Sequence, residues 1–180
     1  MLLAKEIPHY TYDDYVHWEG RWELIEGHPI AMSPLPVPKH QGLTIEIASL
    51  FLVALKKNGC KNCKVYDPID YKINDDTIIQ PDILIVCDKI KKKYLDFAPS
   101  LVVEVLSPST AIRDKNIKYK IYQKQGVKYY LIVDADAKKI ETHLLINGIY
   151  ATQSMPENEF EFFLEENCSV KIDFNEIEWD

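Results

Sequence analysis

Pro81-Asp82-Ile-Leu-Ile-Val86 and Leu101-Val-Val-Glu104-Val105 are two short runs rich in valine, isoleucine and leucine. Runs of this length and composition, one on each side of a basic loop, predict buried β-strands. Each run carries one carboxylate, Asp82 in the first and Glu104 in the second. A buried carboxylate is costly unless it is paired, hydrogen-bonded or bound to a cation. The two acids on neighbouring interior strands therefore predict a shared site, and a divalent metal ion would account for both.

A helix is predicted after the Glu104 strand, ending at about Gln125, before Gly126. At about 100° per residue, Lys118 falls on the same side of this helix as Ile121 and Tyr122. An inward lysine needs an anion, which either the local carboxylates or a substrate phosphate would supply. The residues that can cap the helix are Ser107, Ser109 and Thr110.

These residues resemble the PD-(D/E)XK nuclease superfamily and, more narrowly, the Uma-type "putative restriction endonuclease" family. The resemblance covers roughly residues 10 to 150. It implies an α+β fold with a restriction-endonuclease-like core, in which helices flank a mixed β-sheet. The residues that carry it are Trp22-Glu-Leu-Ile-Glu-Gly27, His40, Pro81-Asp82, Glu104-Val-Leu-Ser-Pro-Ser-Thr110, Asp114, Lys118, Tyr122 and Gly126-Val127.

The resemblance also implies the chemistry of the site. Asp82 and Glu104 would hold Mg²⁺, or Mn²⁺ in its place, and the backbone carbonyl of Val105 would add a ligand. Such hard cations prefer oxygen ligands. One position departs from the superfamily pattern, because Leu106 stands two residues after Glu104, where the superfamily usually has its lysine. Lys118 on the following helix is the candidate replacement.

Four further residues are assigned supporting places. Tyr122, one helical turn after Lys118, would pack beside it and can hydrogen-bond it. Asp114, one turn before, either joins the site or forms an ordinary helix salt bridge at i,i+4. Glu46 lies on an earlier predicted helix and is by resemblance a candidate for the metal site, but equally a rim carboxylate. His40, near the start of that helix, can cap it, pack or reach the site, and we expect a structural role.

The net charge of −7 is unevenly distributed along the chain. Residues 157–180 hold nine acids and one lysine, whereas ten bases and only three acids stand between Lys89 and Lys128. The predicted site thus lies in the one strongly basic region, which suits phosphate binding. The alternative for the lysines of residues 89–93 is an ordinary solvated loop.

The remaining patterns predict the organisation of the chain. We expect a single domain over residues 1–180, with a core at about 20–150 and an acidic extension at about 154–180. β-Hairpins are predicted near both ends, over residues 22–32 and 139–153, and Glu23 in the first is expected to be a surface acid unless it points inward as the resemblance suggests.

Two other segments have consequences for shape and assembly. Residues 64–73 predict one strand. Residues 39–57 predict a helix that is apolar nearly all round, and its second side is expected to meet another subunit in a homodimer. No apolar run approaches the ~20 residues of a membrane span, and no signal peptide is recognisable, so we expect a cytoplasmic protein.

The four cysteines do not predict a metal site. Cys60 and Cys63 have zinc-ligand spacing, but no second pair or nearby histidine completes four ligands. We expect this pair to be free and reduced, and Cys87 to be a small buried hydrophobe.

The expected function is a metal-dependent endonuclease that hydrolyses DNA phosphodiester bonds. The alternative is a catalytically inactive nuclease-fold protein that binds nucleic acid or a protein partner, which Leu106 and the acidic C-terminal residues favour. No P-loop or Rossmann glycine pattern competes with these two, since the six glycines are scattered singly.

Overall fold

The computed structural model describes residues 7–32, 37–108 and 110–179. The chain forms two compact units, and each is assembled from separate stretches of sequence. The first unit comprises Met1–Leu35, Ile69–Gln80 and Ile90–Phe97, and the second comprises Pro36–Pro68, Pro81–Lys89 and Ala98–Asp180. The elements in chain order are α1 (Tyr12–Tyr15), β1 (Trp22–Ile25), β2 (His28–Ala31), α2 (Pro38–Lys57), β3 (Lys64–Tyr66), β4 (Tyr71–Asn74), β5 (Thr77–Ile79), β6 (Ile83–Val86), β7 (Leu101–Val105), a π-helix (Arg113–Lys118), α3 (Tyr119–Gln125), β8 (Tyr129–Asp134), β9 (Lys139–Ile146), β10 (Ile149–Thr152), a 3₁₀ turn (Pro156–Asn158), β11 (Glu159–Glu165), β12 (Cys168–Asp173) and a second 3₁₀ turn (Phe174–Glu176).

The first unit is built on a four-stranded antiparallel sheet in the order β2-β1-β5-β4. The N-terminal hairpin predicted from the sequence is present, with its turn at Gly27 in the left-handed region (φ 76°). A Cβ at this glycine would lie 2.1 Å from the His9 ring, so a larger residue is excluded by space as well as by φ. Glu23 on β1 is fully buried, and its Oε1 accepts a hydrogen bond from the backbone N–H of Gln80 at 2.9 Å. It is therefore not the surface acid that the sequence favoured.

The second unit is built on a six-stranded mixed sheet in the order β10-β9-β8-β7-β6-β3. β7 and β8 are parallel, and the π-helix and α3 connect them. The other neighbouring pairs are antiparallel. With an antiparallel sheet in the first unit and few helices, the chain is α+β, as the sequence predicted.

The core of the second unit lies between this sheet, α2 and the C-terminal strands. α2 buries Leu43, Ile47, Phe51 and Leu55 in one apolar cluster with residues of β6, β7, β8 and β12. Each such side chain contributes roughly 1.5–3 kcal/mol when it is fully buried. On the opposite face of α2, Ile45 is 67% exposed. The acidic C-terminal residues form an antiparallel pair, β11 and β12, as a separate two-stranded sheet rather than as edge strands of the larger one.

The strand predicted over residues 64–73 is divided. β3 pairs with β6 in the second unit, and β4 pairs with β5 in the first. Pro68 stands between them and has no N–H to donate to a ladder, which explains the break.

The prediction of reduced cysteines is wrong in this structure, which contains the disulfides Cys60–Cys168 and Cys63–Cys87. Cys63 and Cys87 directly adjoin the paired residues Lys64 and Val86, so the register of β3 and β6 brings them face to face. No helix within the described ranges is long and apolar enough to cross a membrane.

Candidate functional site

Strand register brings Asp82 to the Glu104 strand. β6 and β7 pair antiparallel with Ile83 opposite Val103, so the residue before Ile83 lies beside the residue after Val103. The backbone N–H of Val105 donates a hydrogen bond to Asp82 Oδ2 at 2.8 Å. The two acids that the sequence singled out therefore lie side by side, Asp82 directly before β6 and Glu104 on β7.

Lys118 reaches the same place from the helix that follows β7. Its Nζ lies 2.9 Å from Glu104 Oε1 and donates a hydrogen bond to it. The Tyr122 hydroxyl donates to the same oxygen at 2.5 Å. Glu104 is 2% exposed, Lys118 1% and Tyr122 0%, so this is a closed, buried ion pair. Tyr122 thus hydrogen-bonds Glu104, and its hydrogen bond to Lys118 stays a prediction.

The helix that carries Lys118 is a π-helix rather than the regular α-helix expected from the sequence. It spans Arg113–Lys118, and Asp114 and Lys118 are its buried residues. A π-helix bonds i to i+5 and often marks a functional site. Tyr130 of β8 is buried, and its hydroxyl donates to the backbone carbonyl of Asp114 at 2.9 Å. This bond anchors the π-helix to the sheet one turn before Lys118, whose side chain points inward.

Asp114 is a third carboxylate in the same interior. It is 1% exposed, and its Oδ1 lies 3.7 Å from Lys118 Nζ. Among the residues that the structure describes, Oδ1 has no hydrogen-bond partner. Burial raises the pKa of Asp114, and the negative charge of Asp82 adds to this, against the opposing effects of Lys118 and Thr110. The ordinary helix salt bridge considered from the sequence is thus present, but it is buried and incomplete.

His40, at the start of α2, lies against Asp82. Its Nε2 is 3.2 Å from Asp82 Oδ2. Burial lowers the pKa of His40, but the hydrogen bond and charge of Asp82 and a hydrogen bond with the backbone of Val105 outweigh burial, so the net shift is upward. Of the roles left open by the sequence, His40 takes the one that contacts the site.

Glu46 engages a different part of the second unit. Its Oε2 accepts a hydrogen bond from the backbone N–H of Glu178 at 2.9 Å, so it is held against the C-terminal segment. A part for Glu46 in metal binding stays a prediction. Of the three proposed helix caps, Ser107 and Thr110 bond each other, with the Ser107 N–H donating to Thr110 Oγ1 at 3.2 Å. Ser109 lies outside the described residues.

The donor set suits a weakly held, water-rich cation such as Mg²⁺. Within residues 7–32, 37–108 and 110–179, no group of three or more Asp, Glu, His or Cys side chains forms a metal cage. Mg²⁺ does not require one, because it keeps several waters and is usually bound by one or two carboxylates. Glu104 and Asp114 face buried Lys118, and Asp82 bonds the backbone beside Glu104. The unsatisfied oxygen on buried Asp114 is the physical reason to expect a cation.

The comparisons with known proteins concern the family and the fold. The model of a family described as "Uma2: Putative restriction endonuclease" matches residues 12–169. "Uncharacterized protein slr1290" from Synechocystis sp. (strain ATCC 27184 / PCC 6803 / Kazusa) is 29% identical over 146 residues, which are 76% of this chain and 74% of that protein. The crystal structure of "a putative nuclease belonging to DUF820" from Anabaena variabilis ATCC 29413 superposes with a TM-score of 0.69 at 19% identity, over 83% of this chain and 87% of the other. The last comparison shows a shared fold.

Proposed function

The chain belongs to the Uma2 family of restriction-endonuclease-like proteins, and from this premise we propose that it is a metal-dependent endonuclease that hydrolyses DNA phosphodiester bonds. The observation that carries the proposal is the convergence of Asp82, Glu104 and Lys118. Asp82 bonds the backbone next to Glu104, and Lys118 bonds Glu104 itself. A sheet with a purely structural role does not require a carboxylate pair and an inward lysine in its core, because apolar residues of similar volume are often as stabilising or more so.

Asp82, Glu104 and the backbone carbonyl of Val105 would hold Mg²⁺ or Mn²⁺ in this proposal. When bound, such an ion lowers the pKa of a water ligand and neutralises charge that develops on the phosphoryl group. Asp82 is the accessible member of the set, since its side chain is 15% exposed, whereas that of Glu104 is 3% exposed. Substrate would therefore approach from the Asp82 side.

Lys118 supplies the positive charge that Leu106 does not. Its ammonium is held by Glu104 at 2.9 Å and faces Asp114 at 3.7 Å, so its direction is fixed before substrate arrives. A preorganised cation in a buried site stabilises developing negative charge more than one in water. Tyr122 fixes the Glu104 carboxylate through its 2.5 Å hydrogen bond, and Tyr130 fixes the π-helix. Asp114 and His40 set the charge around the two acids.

The homodimer expected from α2 is part of the proposal. Ile45 is 67% exposed, Leu52 42% and Val53 63%, and all three stand on the side of α2 away from the core. Pairing of this face between two copies would remove apolar surface from water. Sedimentation velocity on the wild type and on an Ile45→Glu/Val53→Glu variant tests this, and a monomeric wild type would contradict it.

A second candidate function is a nuclease-fold protein that binds nucleic acid or a protein partner without cutting. Leu106 at the usual lysine position favours it, as does the near-complete burial of Glu104 and Lys118. In that case the Glu104–Lys118 ion pair would only stabilise the fold. The protein would bind its nucleic acid or protein partner but would not cleave DNA with any divalent metal ion.

Cleavage of supercoiled plasmid and of single-stranded DNA, with Mg²⁺ and with Mn²⁺, separates the two functions. Asp82→Asn keeps an acceptor for the Val105 N–H and removes the charge, so we expect a loss of activity of roughly 100-fold or more with an unchanged circular-dichroism spectrum. Asp88→Asn is the matched control, because Asp88 is an exposed acid shortly after the same strand. Binding without cleavage by the wild type, or equal activities of the two variants, would reject the endonuclease.

A further inference from the structure

The helix that carries Lys118 also presents a face to solvent. Its exposed residues include Ile112, Lys115, Ile117, Lys120 and Lys124, which we call the outer face. Ile112 is 80% exposed and Ile117 is 44% exposed. The outer face belongs to the second unit, and it stands on the π-helix and α3, the same elements that direct Lys118 inward.

The lysines of the outer face have no exposed acid beside them within residues 110–128. Residues 110–128 contain six lysines and arginines and a single acid, Asp114, which is buried on the opposite side of the helix. Lys115, Lys120 and Lys124 form no ion pair with any residue in the described part of the chain. Some exposed lysines elsewhere are paired, as Lys139 is with Glu141 at 3.0 Å. Three lysines without an ion pair on one helix therefore form a basic surface that suits an anionic partner.

The spacing and the neighbours indicate what kind of anion this is. At a rise of 1.5 Å per residue, Lys120 and Lys124 of α3 are roughly 6 Å apart along the helix, which corresponds to about two phosphates of one strand of B-DNA at 3.4 Å each along its axis. Lys115 lies on the π-helix that precedes α3. Base stacking requires an exposed aromatic ring, and the outer face has none. Tyr119, between Lys115 and Lys120, packs its ring on Tyr130, His143 and Tyr150.

We propose that the outer face docks the sugar–phosphate backbone of duplex DNA through Lys115, Lys120 and Lys124. This rests on the proposed endonuclease function and names the form of its substrate. Phosphate contacts position a nucleic acid without reading its sequence, so the contact confers register on the duplex and no base preference. One helix would then hold the duplex on its outer side and carry the lysine of the site on its inner side.

The test is the salt dependence of binding to a fluorescent duplex of random sequence in EDTA, where no cleavage takes place. Each phosphate neutralised contributes about −0.9 to the slope of log K against log salt concentration. We expect Lys115→Ala/Lys120→Ala/Lys124→Ala to reduce the magnitude of the slope by about 2.7. The matched control is Lys56→Ala/Lys57→Ala/Lys61→Ala, three exposed lysines at the far end of α2, and its slope should equal that of the wild type.

Four outcomes overturn the inference: equal slopes for the two triple variants, a wild type that does not bind duplex, a larger loss for a single strand than for a duplex, or a change of oligomeric state in the outer-face variant in place of weaker binding. The cleavage assay separates this from the proposed function. Cleavage that survives with unchanged binding in the outer-face variant rejects the docking surface alone. Duplex binding through the outer face by a wild type that never cleaves rejects the endonuclease alone.

Discussion

Replacing Lys118 by methionine removes one charge from the Glu104–Lys118 pair and nearly preserves the length of the side chain. Both residues are at most 2% exposed, and the two charged atoms are 2.9 Å apart. Removing one partner of a buried ion pair costs about 3–5 kcal/mol, because the other charge is left without compensation. We expect Lys118→Met to lose this amount, a large share of the roughly 5–15 kcal/mol that stabilises an ordinary domain.

The double variant Glu104→Gln/Lys118→Met removes both charges and keeps the shape. Tyr122 can still donate to the glutamine carbonyl at the position of Oε1. Uncharged replacements of similar volume for a buried ion pair are often neutral or stabilising, and Asp114 loses its contact with Lys118 in both variants. The double variant should therefore lose at least about 2 kcal/mol less than Lys118→Met. The coupling free energy between the two positions should therefore be about 2 kcal/mol or more. Cleavage should stay lost in the double variant although part of its stability returns, which separates folding from catalysis.

Equilibrium unfolding in urea, followed by far-ultraviolet circular dichroism and tryptophan fluorescence, measures these free energies. Lys120→Met is the matched control, since Lys120 is an exposed lysine on α3, and it should change stability by no more than about 0.5 kcal/mol. The reasoning is refuted if Lys118→Met costs no more than this control, or if the double variant costs the sum of its single variants.

Three further predictions concern other parts of the second unit. Tyr130→Phe and Tyr150→Phe each remove a buried hydroxyl that donates to a backbone carbonyl, so each variant should lose about 1 kcal/mol of unfolding free energy. Only Tyr130→Phe should slow cleavage, because Tyr130 anchors the π-helix. Equal cleavage rates of the two variants would contradict this anchoring. The Cys60–Cys168 disulfide, with a sequence separation of 108, should contribute about 4.7 kcal/mol to the free energy of unfolding. Reduction with dithiothreitol should therefore lower the urea midpoint of unfolding. An unchanged midpoint would show that this bond is not formed. Burial lowers the pKa of His143 from its ordinary 6.5, so below that value the unfolded chain takes up a proton that the folded chain does not. The melting temperature of the wild type should therefore fall between about pH 7 and 5, and that of His143→Phe should fall less. Parallel curves of melting temperature against pH would contradict this prediction.

Local patterns were sufficient for the elements of the site. The β-branched runs around Asp82 and Glu104 predicted two interior strands, and both strands are present in the second unit. Glu104 is buried on its strand, and Asp82 directly precedes the other. The 100° rotation per residue placed Lys118 and Tyr122 on the inner side, and both are buried. These inferences needed only the alternation of side chains and the cost of a buried charge, which act over a few residues.

Contacts between distant segments were not predictable in the same way. His40 stands 42 positions before Asp82 in the sequence, and only the packing of α2 on the sheet brings the two together. The π-helix is bonded to the hydroxyl of Tyr130 on the next strand. Helical periodicity does not contain that contact, so periodicity alone predicted a regular helix. The cysteine pairs follow from strand register and from the position of β12, which spacing in the sequence does not contain. Pro68 indicated the break after β3, but the strand pattern on both sides of it predicted one continuous strand, and this prediction was wrong.

A crystal soaked in Mn²⁺ tests most directly whether Asp82, Glu104 and Lys118 form one centre for a cation and a phosphodiester. An anomalous difference map locates the ion without reference to activity. We expect a peak in direct coordination with a carboxylate oxygen of Asp82 and of Glu104, with the Lys118 ammonium within the same site. A map with no peak there, in a crystal where Mn²⁺ is bound elsewhere and His40 still holds Asp82, would contradict the account.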